Sequence, residues 1–257
     1  MLSKEGVFLK GEKMKEYATA AMQRKSVRKY GEQKLSEEQL QLAKQKLLKL
    51  QPLIEDIEVE YEIVPAEQTS CKFNAEYCLL CYSQEKPRYR ENVGYLLEQW
   101  DLYLQSIGIG VCWFGFGRSE KRKNGKIFVI MLSFGARQEN DFRTELGQFS
   151  RKQISEVWQG SFDERVAKLA QLSPSACNSQ PWRVNQNANV VTVFRKKGGI
   201  NPLDAVLSKH FNKLDLGIYL CFLEVALERF GYRFQRQIFE ESKNKLEKVA
   251  EYVVVAE

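Results

Sequence analysis

The 257-residue sequence has few of the residues on which metal centres and hydrolytic sites depend. Its only histidine is His210, and no second cysteine pair accompanies Cys78 and Cys81. A structural zinc site usually takes four cysteine or histidine ligands, and a catalytic triad needs a positioned histidine. We therefore expect no metal site, and no convincing triad is present.

Long apolar runs are also missing. The stretch from Met1 to Lys25 scatters lysines and acids among its apolar residues, unlike a signal peptide. The longest apolar runs, such as Phe128–Leu132, are far too short to span a bilayer. We expect a cytoplasmic protein that does not interact with membranes.

The six cysteines do not follow a disulfide pattern. Cys78 and Cys81 lie in an apolar run, Cys112 precedes Trp113, and Cys221 falls in a helical pattern. These positions are typical of free thiols in a reduced core. Cys78 and Cys81 have the spacing of a redox motif, but on a strand their thiols would point to opposite faces.

The net charge is +6, with basic residues spread along the chain and mixed with acids. The densest cluster, residues 118–126, surrounds Asn124-Gly125, a turn signal that favours a solvated loop. We expect no nucleic-acid partner. The positive charge is better suited to attract a phosphate-bearing cofactor.

Two segments of the chain resemble each other. Residues 93–108 align without a gap against 216–231, which places Gly94 on Gly217 and Gly108 on Gly231. Both segments have the apolar spacing of a helix buried on most sides, and both end at a glycine suited to a left-handed cap.

The similarity extends to the flanking strands. We match the predicted strand Glu58–Pro65 with Val190–Phe194, and Phe128–Leu132 with Tyr252–Val255. A second strand, Tyr77–Tyr82, has no convincing counterpart. The pattern predicts two α/β halves, 1–140 and 141–257, related by a pseudo-twofold axis, with a ligand pocket at their seam.

Two polar segments are candidates for that pocket. Arg24, Ser26 and Arg28 alternate along a predicted extended segment, where they could bind a phosphate, although a solvated basic turn fits as well. Residues 173–183, Ser-Pro-Ser-Ala-Cys-Asn-Ser-Gln-Pro-Trp-Arg, form a rigid polar loop, or simply a connection anchored by a buried Trp182.

These segments resemble the signatures of the nitroreductase family: Arg-x-Ser-x-Arg near the N-terminus and Pro-Ser-x-x-Asn-x-Gln-Pro-Trp after a helix. Residues 108–117 resemble the family's glycine-containing segment after its long central helix. The resemblance implies an α+β nitroreductase-like fold. It also implies hydride transfer from NADH or NADPH through FMN to a nitroaromatic, quinone or similar acceptor.

The resemblance also implies roles for individual residues. Arg24, Ser26 and Arg28 would hold the phosphate, ribityl chain and pyrimidine edge of FMN. Phe114 and Gly115 would offer backbone N–H groups to the flavin ring, Arg151 would complete the phosphate site, and Gln68 would meet the ribityl or pyrimidine edge. The loop would contribute Pro174, Ser175, Ala176 and Asn178.

The chain departs from the family in one respect. Each half keeps only one signature, whereas chains of the homodimeric members carry both. We therefore predict a fused pseudo-dimer with one FMN site, able to act as a monomer. Two alternatives stay open: a different acceptor, with 198–211 as a candidate lid, and a non-catalytic module that binds an anion or a protein partner.

Overall fold

A computed structural model describes residues 11–138, 140–160, 163–198 and 202–256, with the backbone alone for 11–16 and 202–209. The described helices are α1 (Gly11–Gln23), α2 (Glu37–Leu47), α3 (Tyr89–Ser106), α4 (Ile154–Val157), α5 (Glu164–Ala170) and α6 (Pro202–Arg229). The described strands are β1 (Val59–Pro65), β2 (Tyr77–Ser83), β3 (Ile109–Phe114), β4 (Arg122–Lys123), β5 (Lys126–Ala136), β6 (Trp158–Gln159), β7 (Trp182–Asn187), β8 (Val190–Lys196), β9 (Tyr232–Ile238) and β10 (Leu246–Ala256).

The strands form two sheets of the same order. The first sheet runs β1-β2-β5-β3, with β4 paired to β5, and its pairs are all antiparallel. The second runs β7-β8-β10-β9, with β6 added in parallel outside β7. Each half therefore reads as strand, strand, long helix, strand, strand.

This order corrects the strand match made from the sequence. By position in the sheet, β8 is the counterpart of β2 rather than of β1, and β7 is the strand that corresponds to β1. The second half therefore does contain both strands. Strand β7 is hard to detect because Asn and Gln are poor strand formers, although Trp182, Val184 and Gln186 alternate inward.

The two long helices, α3 and α6, pack against each other in the centre of the core. Each ends before a glycine in the left-handed conformation, Gly108 at φ 81° and Gly231 at φ 78°. The predicted C-terminal caps are thus confirmed. After each capping glycine the chain continues directly into an edge strand, β3 in the first sheet and β9 in the second.

Strand β2 separates two layers of the core. Cys81 belongs to the main apolar cluster, and Cys78 to a smaller cluster on the other face with Phe114 and Met131. The prediction that these thiols diverge is confirmed, and all six cysteines are free.

The basic cluster at residues 118–126 forms the β4–β5 hairpin, with its turn at Asn124 and Gly125. Two of its lysines pair with glutamates on or directly before β1: Lys123 lies 2.6 Å from Glu62, and Lys126 lies 3.2 Å from Glu58. These ion pairs neutralise part of the charge of the cluster. No helix in the described ranges is long and apolar enough to cross a bilayer.

Candidate functional site

A cavity of about 290 Å³ lies between the end of β3 and helix α6. Both predicted motifs contribute to its walls. Its lining residues are Ser26, Arg28, Phe73, Trp113, Phe114, Gly115, Phe116, Ile130, Pro174, Ser175, Ala176, Cys177, Phe211, Leu214, Asp215 and Ile218.

Ser26 and Arg28 reach the cavity on a short extended segment beside β3. Ser26 forms a parallel bridge with Val111, and the Val27 N–H donates to the Val111 carbonyl at 3.0 Å. Val27 points into the core, since its exposed fraction is 1%. Its neighbours on either side therefore face the cavity, as the alternation of a strand requires.

The polar loop supplies the opposite wall. Cys177, Asn178 and Gln180 have φ values of 50°, 55° and 48°, a left-handed conformation that is costly for residues with a side chain. The loop is held by the Ser175 hydroxyl, which accepts the Gln180 N–H at 3.0 Å. Trp182 is fully buried and stacks on Tyr219 at 4.7 Å, so its interpretation as an anchor is confirmed.

Helix α6 contributes a buried acid to the same cavity. Asp215 Oδ1 accepts the Ala176 N–H at 3.0 Å, and Oδ2 accepts the Ser179 hydroxyl at 3.4 Å. Burial raises the pKa of Asp215 to about 8, although these two hydrogen bonds act in the opposite direction. The sequence motifs gave no indication of this residue.

The rest of the cavity is mostly apolar. Phe73 packs edge-to-face on Phe114 at 5.2 Å, and Trp113 and Phe211 add two more aromatic walls. Phe116, between two glycines, is 83% exposed. An apolar slot with a few polar groups on one side suits a flat heterocycle.

Arg24 does not line this cavity. Its backbone N–H still donates to the Ala20 carbonyl as in a helix, and its side chain is buried, with Nη2 2.9 Å from Asp101 and Nε 3.7 Å from Glu98. Burial lowers the pKa of Arg24, but the carboxylates of Asp101 and Glu98 outweigh it and raise the pKa overall. The expected alternation with Ser26 and Arg28 was therefore wrong, because the extended segment begins after Arg24.

Arg24 nevertheless belongs to a group of three arginines beside the cavity. The Arg143 guanidinium donates to the Arg24 carbonyl, and Arg151 donates to the Asn178 side chain at 3.2 Å. Burial, together with the positive charges of Arg24 and Arg143, lowers the pKa of Arg151 to about 10. The Arg151 Nε atom is buried without a hydrogen-bond partner, and a buried donor of this kind calls for an acceptor such as water or an anion.

Two predicted residues have other positions. Gln68 is exposed at the end of the helical turn Ala66–Gln68, outside the cavity lining. Asn178 is exposed and connects the loop to Arg151 and to the Ser150 carbonyl, to which its Nδ2 donates at 2.9 Å. Arg143 was missed from the sequence, because only the fold brings it beside Arg24.

The candidate lid is mostly helical. Residues 199–201 lie outside the described residues, and Pro202–Phe211 forms the beginning of α6. His210 accepts a hydrogen bond from Arg90 and contacts the Val129 carbonyl at 3.2 Å. Burial and the charge of Arg90 lower the pKa of His210, while the bond to Val129 raises it. His210 is therefore a packed histidine, and Phe211 is the residue that reaches the cavity.

The fold and this cavity define an α+β protein of the nitroreductase type. A profile of the family described as "Putative TM nitroreductase" matches residues 16–227. The chain belongs to this family, and that membership supports a general oxidoreductase role. None of the curated proteins compared with the chain matches it.

One solved structure shares this fold over nearly the whole chain, and two others are less similar. A Thermotoga maritima protein described as a nitroreductase is 17% identical, with a TM-score of 0.63, over 98% of this chain and 99% of that one. An FMN-dependent nitroreductase from Clostridium difficile R20291 is 14% identical, with a TM-score of 0.38, over 47% of this chain and 87% of its own. A nitroreductase family protein from Clostridium difficile 630 is 12% identical, with a TM-score of 0.45, over 55% and 94%.

Proposed function

We propose that the chain is an FMN-dependent oxidoreductase with one flavin site, in the cavity between β3 and α6. The observation that carries this proposal is that Ser26 and Arg28 share one cavity with Pro174, Ser175 and Ala176. These two sets lie in different halves of the sequence, and each set matches one family signature. Bound FMN would supply the hydride chemistry, from NADH or NADPH to an electron-poor acceptor such as a nitroaromatic or quinone.

The residues fit the two chemical parts of FMN. The partnerless Nε of Arg151, with the charge of Arg143 beside it, suits the phosphate dianion. The charge of Arg24 is already balanced by Asp101 and Glu98. The aromatic slot suits the ring system, with Phe114 and Gly115 at the end of β3 offering backbone groups to its edge. Arg28 would hold the pyrimidine edge, where a cation stabilises negative charge on the ring.

The symmetry-related position on the other side of the two long helices offers a poor flavin site. A cavity there is lined by Ile54, Asp56, Ile57, Lys86, Pro87, Glu240 and Glu241. The match that pairs Gly94 with Gly217 also pairs Arg88 with Phe211. Arg88 is fully buried, with Nη1 2.9 Å from Glu91 and Nη2 2.8 Å from Glu247. We therefore infer that the chain has two halves, 1–140 and 141–257, and that only one of the two symmetry-related cavities between them is a flavin site.

The direct test is the colour of the purified protein. We expect yellow absorbance that bleaches when NADH or NADPH is added under anaerobic conditions and returns with a quinone. A colourless protein that ignores added FMN would instead support the alternative, a module that binds an anion or a partner without catalysis. Gly147→Ala is the control variant for loss of flavin during purification, because a Cβ at this position meets nothing within 4 Å.

A further inference from the structure

Asp215 and Asn92 occupy matching places on the two central helices. Asp215 lies two residues before Gly217 on α6, and Asn92 lies two residues before Gly94 on α3. Each side chain holds the loop that follows the preceding helix of its own half. Asn92 Oδ1 accepts the N–H groups of Leu53 and Ile54 at 2.8 and 3.0 Å, and Asp215 Oδ1 accepts that of Ala176 at 3.0 Å.

Holding the loop does not require an acid. The amide of Asn92 does so with two hydrogen bonds in a fully buried position. Asp215 is also buried, with an exposed fraction of 3%, and burying an ionisable carboxyl is costly unless it stays neutral. The difference between the halves is that Asp215 lines the flavin cavity. The acid is therefore best explained by what the cavity holds.

We propose that Asp215 donates a proton to the acceptor bound in the cavity, a role that rests on the flavin-dependent function proposed above. A quinone that receives a hydride gains two electrons and one proton. Transfer of the Asp215 proton to the quinone oxygen that the hydride leaves unprotonated completes the hydroquinone. The resulting carboxylate then takes a proton from water, which returns the acid to its starting state.

The surroundings keep Asp215 in the required protonation state. Its pKa of about 8 leaves most of the carboxyl protonated at pH 7. Around it, the loop contributes the Ser179 hydroxyl and the Cys177 thiol, α6 contributes the neutral Asn212, and the first half contributes Arg28 across the cavity. Within the described residues, no cation is bonded to the carboxyl. A proton donor with a pKa near the working pH is the effective kind.

The experiment compares the wild type with Asp215→Asn and with Asp56→Asn as a matched control. Asp56→Asn makes the same acid-to-amide change at the symmetry-related cavity, which is lined by Asp56, Glu240 and Glu241. The FMN-loaded proteins are reduced and then mixed rapidly with p-benzoquinone, which must take up protons, or with ferricyanide, which takes up electrons alone. In parallel, infrared difference spectra of flavin-free protein follow the carboxylic acid C=O band between pH 6 and 10.

We expect Asp215→Asn to slow reoxidation by benzoquinone about 10²-fold and to leave the ferricyanide rate unchanged. The wild-type benzoquinone rate should fall above about pH 8. The intensity of one carboxylic acid C=O band should fall over the same pH range, and this band should be present in Asp56→Asn and absent from Asp215→Asn. Equal slowing with both acceptors, an unchanged benzoquinone rate, or a wild-type carboxyl already ionised at pH 7 would overturn the proposal. If the wild type binds no FMN at all, the flavin-dependent function itself fails, and the two failures are distinguishable.

Discussion

Gly94 and Gly217 face each other across the contact between α3 and α6, and each makes room for the backbone of the opposite helix. A Cβ atom on Gly94 would overlap the Leu214 carbonyl oxygen and lie 3.2 Å from the Ile218 nitrogen. A Cβ atom on Gly217 would overlap the Glu91 carbonyl oxygen and lie 2.7 Å from the Tyr95 nitrogen. Each glycine thus meets the residue three before and the residue one after the other glycine, the reciprocity expected of a twofold contact.

This contact predicts a large loss of stability when either glycine gains a side chain. We expect Gly94→Ala and Gly217→Ala each to lower the free energy of unfolding by roughly 1–3 kcal/mol or more, because the clash is with backbone that cannot rotate away. Urea titration followed by circular dichroism measures the change. Gly147→Ala, which meets nothing within 4 Å, should be neutral, and neutral helix variants would show that the helices can separate without cost.

The second prediction concerns the number of flavins. The opposite cavity is lined by three acids, Asp56, Glu240 and Glu241, and one lysine, Lys86, and this excess of negative charge disfavours a phosphate dianion. We expect about one FMN per chain, as measured by flavin absorbance against protein concentration after removal of free ligand. A ratio near two would contradict the single site.

The arginine group should recognise the phosphate alone. Replacing Arg151 or Arg143 with alanine removes a cation from the proposed phosphate site, so we expect FMN binding to weaken by roughly 1.5–3 kcal/mol. Riboflavin, which lacks the phosphate, should bind the variants and the wild type equally. Fluorescence titration with both ligands separates this outcome from a general collapse of the cavity, which would weaken both.

Arg28 should act on the ring rather than on the phosphate. Arg28→Ala is expected to weaken FMN binding by something on the order of 1.5–3 kcal/mol, if the guanidinium forms a charge-assisted bond. Because that bond would be to the pyrimidine edge, riboflavin should lose affinity by a similar amount. An unchanged affinity for both ligands would remove Arg28 from the site.

The buried carboxylate of Glu247 should govern stability in acid. Burial raises its pKa, but Arg88, Lys197 and Arg195 outweigh it and hold the pKa of Glu247 below its usual range. Its stabilising effect is therefore complete above about pH 4.5, the pKa in the unfolded chain, and is lost as the pH falls through the lower folded value. We expect Glu247→Gln to cost roughly 3–5 kcal/mol at pH 7, since it leaves buried cations unpaired.

Thermal unfolding at pH 7 and at pH 3 checks this sign. The difference between Glu247→Gln and the wild type should shrink at pH 3, because this is below the pKa of about 4.5 in the unfolded chain, where protonation of the unfolded state removes part of the stabilisation. Glu164→Gln, at an exposed pair with Lys168 at 3.0 Å, is the control and should change little at either pH. A difference that stays constant with pH would mean that Glu247 acts through packing alone.

Local patterns predicted the elements that are strongly periodic. Strand β2, helix α3 and the C-terminal part of α6, with both glycine caps, appear where apolar spacing placed them. Helix α6 begins earlier than predicted, at Pro202, within the candidate lid. The pattern failed at Arg24, because the helix hydrogen bond to Ala20 persists one residue longer than the alternation assumed. Strand β7 was missed because polar residues, among them Asn185 and Asn187, fill half of it and Gln186 takes one of its inward positions.

The site was predictable where a motif is continuous in sequence. Ser26, Arg28 and Ser175 belong to short motifs and lie in the cavity. Asp215 and Arg143 belong to none, since their roles depend on which loops the fold brings against them. Long-range contacts of this kind leave no trace in local spacing.

Both halves belong to a single polypeptide, so a mutation can change one half without changing the other. In a homodimer, every codon change appears in both subunits, so any adaptation of one pocket is imposed on the other. Here the position two residues before the glycine of the helix contact is an amide in the first half, Asn92, and an acid in the second half, Asp215. Each half can accumulate its own substitutions, so the two symmetry-related cavities between the halves need not change together.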